Sequence, residues 1–325
     1  MNRLLVIDGN AVLHRAFHAL PPLTSPDGRV TNAVYGFASM LIRLMSDLTP
    51  TGIAVAFDRP TPTFRKTLYK EYQSKRPEMD ETLVSQIPLT HEMLETMRVA
   101  TFEMDGFEAD DVIGTLCQKI MGTGKKKQNR SFDQIIIVTG DRDILQLVED
   151  DHVLLYMPTK GLSEAKLYGE KETMERLGVA PKSIPDFKAL AGDPSDNYPG
   201  VTGIGPKTAV ELLHTYKTVE NVLSAAKTSN DIRVTLREKL VAGEEIALLS
   251  KDLATIRCDV PIDVDEKKLA VPDFHTQGVK DFFLTLGFTS LLKRLNGGEK
   301  ESKTPVEKKQ KKEETSVESS QISLL

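Results

Sequence analysis

Cysteine is nearly absent from this sequence of 325 residues, which contains only Cys117 and Cys258. Two distant cysteines form neither a zinc-ligand motif nor a disulfide framework, and they suit a reducing compartment. No apolar run approaches the ~20 residues of a membrane-spanning helix. The first residues, MNRLLVIDGN, lack the long apolar segment and the small-residue cleavage site of a signal peptide. We therefore expect a cytoplasmic protein that does not contact a membrane.

A large excess of charge of one sign is also missing. The formal net charge of −5 argues weakly against a nucleic-acid partner, because phosphate binding favours positive charge. That average hides a basic segment, since residues 59–77 contain six lysines or arginines and a single glutamate. Net charge therefore excludes neither a nucleic-acid partner nor an acidic site elsewhere in the chain.

Short apolar runs alternate with helical patterns in the first part of the chain. The runs lie at 4–8, 52–58, 134–141 and 152–158, and the helical patterns at about 10–20, 32–48, 82–98 and 109–121. This alternation predicts an α/β core over residues 1–170, with a mostly parallel sheet and helices on both faces. Residues 171–295 show only short amphipathic helical patterns, which predicts a helical subdomain. Residues 296–325 have mixed charge and few apolar side chains, so we expect a disordered tail.

Acidic residues follow the predicted strands, and the carboxyl ends of parallel strands meet at one edge of a sheet. The stretch GFEADDVIGTL adds three more acids where a helix is predicted to begin. The nine acidic candidates are Asp8, Asp58, Glu108, Asp110, Asp111, Asp141, Asp143, Asp193 and Asp196. All-oxygen ligands favour Mg²⁺ or Mn²⁺, and nine carboxylates exceed the needs of one ion, so we expect two or more metal sites suited to phosphodiester hydrolysis. A solvated acidic helix start remains the alternative for the EADD group.

The stretch GVTGIGPKTAVELL (200–213) favours contact with a phosphate backbone. Gly203 and Gly205 precede a helix that begins with Pro206, so backbone N–H groups and Lys207 can reach a phosphate without obstruction. Such contacts do not depend on base sequence. An ordinary connection between two helices remains the alternative.

The basic segment 59–77 interleaves aromatic side chains with cations, a combination that suits a flexible single strand. Its candidates for nucleic-acid contact are Arg65, Lys66 and Tyr72. A solvated amphipathic helix is the alternative interpretation. His14 and His18 lie four residues apart, as a metal-binding pair would, but we expect one or both to pack on the first helix and leave them out of the site.

Five motifs in a fixed order carry a resemblance to a known family. They are LLVIDGNAVLHRAFHALPPLTSPDGRVTNAVYGF, AVAFDRPTPTFRK, FEADDVIGTL, VTGDRDILQLV and GDPSDNYPGVTGIGPKTA. Together they resemble the 5′→3′ exonuclease (5′-nuclease, flap endonuclease) domain of bacterial DNA polymerase I, over about residues 1–295. The resemblance implies a PIN-like core, a helical arch at about 59–100, and a helix–hairpin–helix-like element that grips DNA, often with K⁺. It also implies a metal-dependent nuclease, associated with the nucleoid, that removes 5′ flaps and RNA primers in replication and repair.

The resemblance also implies roles for individual residues. The first metal region would comprise Asp8, Asp58, Glu108, Asp110, Asp111 and Asp141. The second would comprise Asp143, Asp193 and Asp196. Arg15 and Arg76 match cations of the family, but the lysine regarded as catalytic there aligns with Gln73. Lys75, two positions on, is the candidate to replace it, and we expect an active enzyme because the metal-site residues are complete.

The C-terminal residues QISLL (321–325) resemble the short peptide with which bacterial proteins bind the replication sliding clamp. Gln321 would set the polar register, and Leu324 and Leu325 would fill a pocket at the end of a flexible tether. A chance apolar terminus is the alternative. No polymerase sequence follows, so we expect a stand-alone 5′-nuclease, monomeric by default.

Two other functions remain open. A related metal-dependent ribonuclease would use the same carboxylates, although it would not need the long helical region. A DNA-binding or scaffolding relative with weakened catalysis is favoured only by the departure at Gln73. The leading prediction is a Mg²⁺-dependent 5′-nuclease that acts on DNA.

Overall fold

A sheet of six strands organises the first part of the computed structural model, which describes residues 1–122, 130–160 and 164–297. The strands are β1 (Arg3–Asp8), β2 (Gly52–Ala56), β3 (Ala100–Phe102), β4 (Gln134–Val138), β5 (Val153–Lys160) and β6 (Glu164–Tyr168). Their order is β3-β2-β1-β4-β5-β6, and every neighbouring pair is parallel except β5 and β6. The predicted mostly parallel α/β fold is confirmed.

Two strands of this sheet, β3 and β6, do not correspond to any predicted strand. β3 has only three residues, none of them fully buried, so it lacks the apolar run that marks an interior strand. β6 (EAKLY) lies at the edge of the sheet and carries exposed Lys166 and Leu167. Edge strands need not be apolar on both faces, so a continuous apolar run in the sequence does not predict them.

Helices cover both faces of the sheet. Those of the core are α1 (Gly9–Ala19), α2 (Asn32–Leu48), α3 (Phe64–Leu68), α4 (Glu81–Val84), α5 (Gln86–Thr96) and α6 (Ala109–Met121). Alternate residues of β1 face opposite sides, so that Val6 packs in the apolar cluster of α6 and Ile7 packs in the cluster of α1, α2 and α5. Because β1 is buried on both faces, its sequence is a continuous apolar run.

Short helices form most of the second part of the chain. They are α7 (Glu170–Leu177), α8 (Ile184–Ala191), α9 (Pro206–Tyr216), α10 (Val219–Thr228), α11 (Val234–Ala242) and α12 (Glu244–Ala254), followed by α13 (Gln277–Thr285) and α14 (Thr289–Leu295). A two-residue pair, β7 (Gly192–Asp193) and β8 (Tyr198–Pro199), interrupts them. α13 and α14 return to the core, where Phe283 and Leu291 join the apolar cluster of α2 and α5.

Residues 59–100, the predicted arch, do not form one continuous helical element. α5 packs into the core through Leu89, Met93 and Leu94. The preceding segment lies against the helical part of the chain, because Tyr72 clusters with Tyr198 and Leu253. This contact places residues 65–76 beside the carboxyl edge of the sheet.

No helix among the described residues combines the length and the apolar character needed to cross a bilayer. Gln321, Leu324 and Leu325 lie outside the described residues, so the proposed clamp-binding peptide stays a prediction from sequence.

Candidate metal centre and nucleic-acid cleft

A cavity of about 1500 Å³ lies at the carboxyl edge of the sheet. Seven of the nine predicted acids line it: Asp8, Asp58, Glu108, Asp110, Asp141, Asp143 and Asp196. Their convergence follows from the strand order, because β1 lies between β2 and β4 and all three run in the same direction. The predicted cations Arg15, Lys66 and Arg76 line the same cavity. The structure therefore gathers most of the predicted site into one place.

Asp8 is held at the base of the cavity by two hydrogen bonds. One oxygen accepts from the backbone N–H of Ala11 at 2.9 Å and so caps α1, and the other accepts from the Thr139 hydroxyl at 2.7 Å. Thr139 in turn accepts from the backbone N–H of Asp141 at 3.0 Å, which ties the ends of β1 and β4 together. Burial raises the pKa of Asp8 to about 7, and the charges of Asp58 and Asp141 contribute to the rise.

Asp58 and Asp110 complete the acidic side formed by the core. Asp58 accepts a hydrogen bond of 2.7 Å from the backbone N–H of Ala109 and so links the end of β2 to the start of α6. Burial raises the pKa of Asp110 well above its ordinary value, and Asp141 and Asp8 raise it further. Within the described ranges, no lysine or arginine forms an ion pair with Asp8, Asp58, Asp110 or Asp141.

The ligand type of these four acids suits a divalent metal ion, although among the described residues it is Asp143, Asp193 and Asp196 whose oxygens already lie within 4.8 Å of one another. Their donor atoms are all carboxylate oxygens, the ligands that Mg²⁺ and Mn²⁺ prefer. Burial, and after it the charges of neighbouring acids, raise the pKa of Asp8 and of Asp110, so their ionised forms are unfavourable without a bound cation. A bound divalent cation would remove that repulsion, so the residues present are compatible with the metal expected from the sequence.

The acids on the other side of the cavity have protein partners. Oxygens of Asp143, Asp193 and Asp196 lie within 4.8 Å of one another, close enough for one ion. The ammonium group of Lys188 contacts both Asp143 and Asp193. Burial raises the pKa of Asp143 to about 6 although Lys188 opposes the rise, whereas for Asp193 Lys188 and the hydrogen bonds from Ser195 together outweigh burial and lower the pKa. The sequence did not predict a role for Lys188, because this lysine is not part of any recognisable motif.

Asp196 is bound by the segment that contains Gln73. Arg76 Nη2 lies 2.6 Å from Asp196 Oδ1, and the backbone N–H of Gln73 donates to the Asp196 carbonyl at 2.8 Å. The side-chain amide of Gln73 lies 3.3 Å from the same carboxylate, and Gln73 itself has a left-handed backbone with φ of 54°. Lys75 is exposed and does not line the cavity, so its position gives no support to the proposed replacement of the missing lysine.

Asp111 is not placed as a metal ligand, which corrects the prediction. It is completely buried, and both of its oxygens are bound by Arg65, at 2.7 Å from Nη1 and 2.8 Å from Nη2. It also accepts from the backbone N–H groups of Glu108 and Arg257 at 3.0 and 2.8 Å. Asp111 and Glu108 form a reciprocal capping box at the start of α6. Asp111 therefore stabilises the start of the helix, but as a buried acid and not as the solvated one of the alternative interpretation.

The prediction that Arg65 and Tyr72 contact nucleic acid also needs correction. Arg65 is 3% exposed, because its guanidinium is enclosed by Asp111 and by the carbonyls of Leu253 and Thr255. Tyr72 is buried as well, with its ring stacked on that of Tyr198 at a centroid distance of 6.2 Å. Neither side chain is free to stack on a base.

The Tyr72 hydroxyl instead connects two acids of the site. It lies 3.1 Å from Glu108 Oε2 and 3.3 Å from Asp196 Oδ2. Burial raises the pKa of Glu108 to about 7, against the opposing charge of Arg65. Lys66 is exposed at the cavity, and its ammonium group donates to the Tyr72 carbonyl at 2.9 Å. Contact with nucleic acid therefore stays a prediction for Lys66, whereas burial excludes it for Tyr72.

The glycine turn before α9 lies apart from the cavity. Gly203 has φ of 78°, a conformation that favours glycine, and a Cβ atom on Gly205 would meet no atom within 4 Å. Lys207 is exposed in the first turn of α9. Lys239, which the sequence pattern did not single out, lies over the turn with its ammonium group 3.4 Å from the Gly203 carbonyl. An open helix N-terminus beside two lysines is suited to a phosphate group.

The two histidines of α1 do not pack as expected. Both His14 and His18 are exposed and line the cavity, and their Nε2 atoms lie 3.2 Å apart. Of the expected packing on the first helix only ring contacts are present, between His18 and the rings of His14 and Phe17, because the apolar face of α1 is formed by other residues, among them Val12, Leu13 and Ala16.

Comparison with known families identifies two adjoining regions. The family described as "5'-3' exonuclease, N-terminal resolvase-like domain" matches residues 3–178, and "5'-3' exonuclease, C-terminal SAM fold" matches residues 179–277. Curated relatives include DNA polymerase I of Caldicellulosiruptor bescii, 40% identical over 294 residues, and that of Bacillus subtilis (strain 168), 38% identical over 293 residues. Each alignment covers 90% of this chain but only 33% and 32% of the relative, so the chain spans about one third of their length.

Solved structures show a similar fold. A T5 5'-exonuclease with bound divalent metal ions (zinc) has a TM-score of 0.63 and 21% identity, covering 91% of this chain and 98% of its own. The catalytic core of Rad2 in complex with DNA substrate has a TM-score of 0.59 and 18% identity, covering 91% and 92%. At these identities the similarity demonstrates the fold.

Proposed function

The chain belongs to the 5′-3′ exonuclease family, and on that premise we propose that it is a metal-dependent 5′→3′ exonuclease and flap endonuclease acting on DNA 5′ ends, flaps and RNA primers. The observation that carries the proposal is the cavity at the carboxyl edge of the sheet. It combines a cluster of acids that lack protein cations with Arg15, Lys66 and Arg76. Carboxylates for metal ions beside cations for phosphate groups are what phosphodiester hydrolysis requires.

The acids of the core and those near Lys188 would hold two divalent ions, Mg²⁺ or Mn²⁺. The first position would use Asp8, Asp58, Asp110 and Asp141, with Glu108 nearby. The second would use Asp143, Asp193 and Asp196, whose oxygens already lie within 4.8 Å of one another. When bound, such ions supply a nucleophile at neutral pH and stabilise negative charge on the reacting phosphate.

The protein's own cations would bind and orient the DNA. Arg15 and Lys66 line the cavity and would contact phosphate oxygens of the strand that is cut. Arg76 would leave Asp196 to contact the reacting phosphate, which also frees that carboxylate for a metal ion. This exchange would couple substrate binding to completion of the second metal position.

The glycine turn before α9 would grip the duplex on one side of the cut. Its open helix N-terminus, with Lys207 and Lys239, would bind a backbone phosphate independently of base sequence. We extend the proposal to a K⁺ ion at this turn. The Gly203 carbonyl is the kind of oxygen that would hold it, once the Lys239 ammonium group that now contacts this oxygen has moved to the phosphate.

A flap-cleavage assay tests the proposed activity. Wild type and Asp141→Ala are incubated with a labelled 5′-flap DNA, with a matched RNA flap, and with intact single-stranded RNA, each with Mg²⁺ or with EDTA. Metal-dependent cutting of the DNA flap by wild type alone supports the proposal. Cutting of free RNA in preference to DNA would support the ribonuclease alternative, and binding of the flap without any cutting would support the scaffold alternative.

We also propose that QISLL docks the chain on a bacterial sliding clamp. The support comes from the sequence alone, since residues 321–325 lie outside the described structure. Deletion of these five residues should abolish clamp binding in a surface-plasmon-resonance assay while cleavage of free flaps is retained. Equal clamp affinity with and without the peptide would contradict the docking role.

A further inference from the structure

His14 and His18 form an exposed pair on the wall of the cavity, and the proposed hydrolysis does not require either of them. They lie four residues apart on α1, so both side chains project from the same face of the helix. Their ring centroids are 4.4 Å apart, and the two Nε2 atoms are 3.2 Å apart. The two rings therefore approach each other through the same nitrogen.

The distance between the two nitrogens suits shared coordination of a metal ion. Zinc-class ions bind imidazole nitrogen at about 2.0–2.1 Å with tetrahedral angles, which separates two ligand nitrogens by about 3.3 Å. The observed separation is 3.2 Å. Without a metal, the same separation allows one imidazole to donate a hydrogen bond to the other. Exchange of that bond for a metal ion keeps the separation of the two nitrogens but requires the rings to turn so that both nitrogens point at the ion.

The surroundings of the pair favour a cation. Partial desolvation lowers the pKa of His14, and the neighbouring His18 lowers it further, which favours the neutral imidazole of His14 that binds metals. Asp80 lines the same cavity and supplies a negative charge there, while Arg15, on the same helix, is the opposing positive charge. Nitrogen ligands also discriminate between metals, since imidazole suits zinc, nickel, cobalt and copper, whereas the carboxylate cluster suits magnesium and manganese.

We propose that His14 and His18 bind one transition-metal cation of the zinc class, at a site separate from the carboxylate centre. The inference goes beyond the proposed nuclease function, because binding at this pair requires neither DNA nor cleavage. Two imidazoles occupy two positions of a tetrahedral ion, and water fills the others. The cavity would then hold two chemically different kinds of metal site.

Calorimetric titration with Zn²⁺ tests the proposal on the full chain without a histidine tag. Saturating Mg²⁺ is present throughout, so that the carboxylate centre is occupied. Wild type is compared with His14→Ala, His18→Ala and His275→Ala, the last an exposed histidine outside the cavity and thus a matched control. We expect one equivalent of Zn²⁺ to be lost in each cavity variant and retained in the control.

A second variant separates this site from the carboxylate centre. Asp8→Asn alters the carboxylate centre, and in this variant the equivalent of Zn²⁺ that depends on the histidines should still bind. Co²⁺ in place of Zn²⁺ should give a visible absorption band whose intensity is lost only in the two cavity variants. Equal Zn²⁺ binding by wild type and both cavity variants, or no binding by wild type under Mg²⁺, would overturn the proposal. Thermal unfolding of each variant confirms that it is folded.

Discussion

The two sides of the cavity neutralise their acids in different ways. On the side formed by the sheet, four acids have no ion-pair partner among the described lysines and arginines: Asp8, Asp58, Asp110 and Asp141. On the side formed by the helical part, Lys188 binds Asp143 and Asp193, and Arg76 binds Asp196. The first side therefore requires an external cation, whereas on the second a metal ion must compete with the protein's own cations.

The start of α6 contains the same contrast between two consecutive residues. Asp110 lines the cavity without a cationic partner, whereas Asp111 is enclosed by Arg65. A buried carboxylate with a bidentate partner contributes to stability mainly because the partner would otherwise be left as an uncompensated buried charge. We therefore expect substitutions of the two residues to have opposite consequences.

Asp111→Ala should produce the largest effect on folding. It leaves the Arg65 guanidinium buried without its counter-charge, which should lower the free energy of unfolding by about 3–5 kcal/mol. Urea denaturation of wild type, Asp111→Ala and the double variant Arg65→Met with Asp111→Leu measures the loss. The double variant should recover much of the stability, and an unchanged midpoint in Asp111→Ala would contradict the structural role.

Asp110→Asn should affect cleavage and leave folding intact. Loss of one charge from the acidic cluster should reduce the rate of flap cleavage about 100- to 1000-fold, the range found when one transition-state-stabilising group is removed. The free energy of unfolding without metal should stay equal or rise, because repulsion with Asp8 and Asp141 is relieved. Full cleavage activity in this variant would show that Asp110 does not serve the metal centre.

Removal of metal should make stability depend on pH. Burial raises the pKa of Asp8 from 3.8 and that of Glu108 from 4.5, each to about 7, so the folded protein binds these protons more tightly than the unfolded chain. Stability without metal should then be highest near the unfolded values and fall as pH rises through about 7, by roughly 2 kcal/mol or more.

Chemical denaturation in EDTA at several pH values from 5 to 8 measures this fall, which saturating Mg²⁺ should largely reverse at the upper end. A metal-free protein that becomes more stable over the same rise in pH would contradict the absence of a compensating cation on the core side.

Lys188→Met should sharpen the difference between the two metal positions. Removal of the ammonium group that contacts Asp143 and Asp193 abolishes the competition with a metal ion, so the weaker Mg²⁺ affinity should rise about tenfold, or about 1.4 kcal/mol. Lys182→Met, at an exposed lysine nearby, is the control. Calorimetry would contradict the idea of competition if both variants bound Mg²⁺ as wild type does.

Gln73→Lys should produce the smallest change, a rise in cleavage rate of roughly tenfold or less, since one added cation assists a site that already has Arg76. The new ammonium group would lie beside Asp196, where the amide now lies. Lys75→Ala serves as the comparison and should have little effect, because Lys75 does not line the cavity. A greater loss in Lys75→Ala than the gain in Gln73→Lys would assign the catalytic cation to Lys75.

Local sequence patterns were sufficient for much of the fold. The strands β1, β2 and β4 are apolar because both of their faces are buried, and that burial is visible as continuous runs. The helices from α7 to α12 carry their own start and stop signals, such as Pro206 at the first position of α9 and Gly178 after α7. The same pattern predicted that the carboxylates at the strand ends lie close together, because parallel strands end at one edge of the sheet.

The sequence by itself determined the parallel core, the helical second part and the position of the acidic edge, because periodicity and strand direction are local properties. Only the tertiary structure decided which acids face the cavity. Asp110 and Asp111 are the same residue type in consecutive positions, but a helix rotates them apart by about 100°, and Arg65 and the backbone of Arg257 meet only Asp111. Those partners lie 46 and 146 residues from Asp111 along the sequence. Lys188 likewise lies 45 residues from Asp143, and no local sequence pattern predicts contacts at such separations.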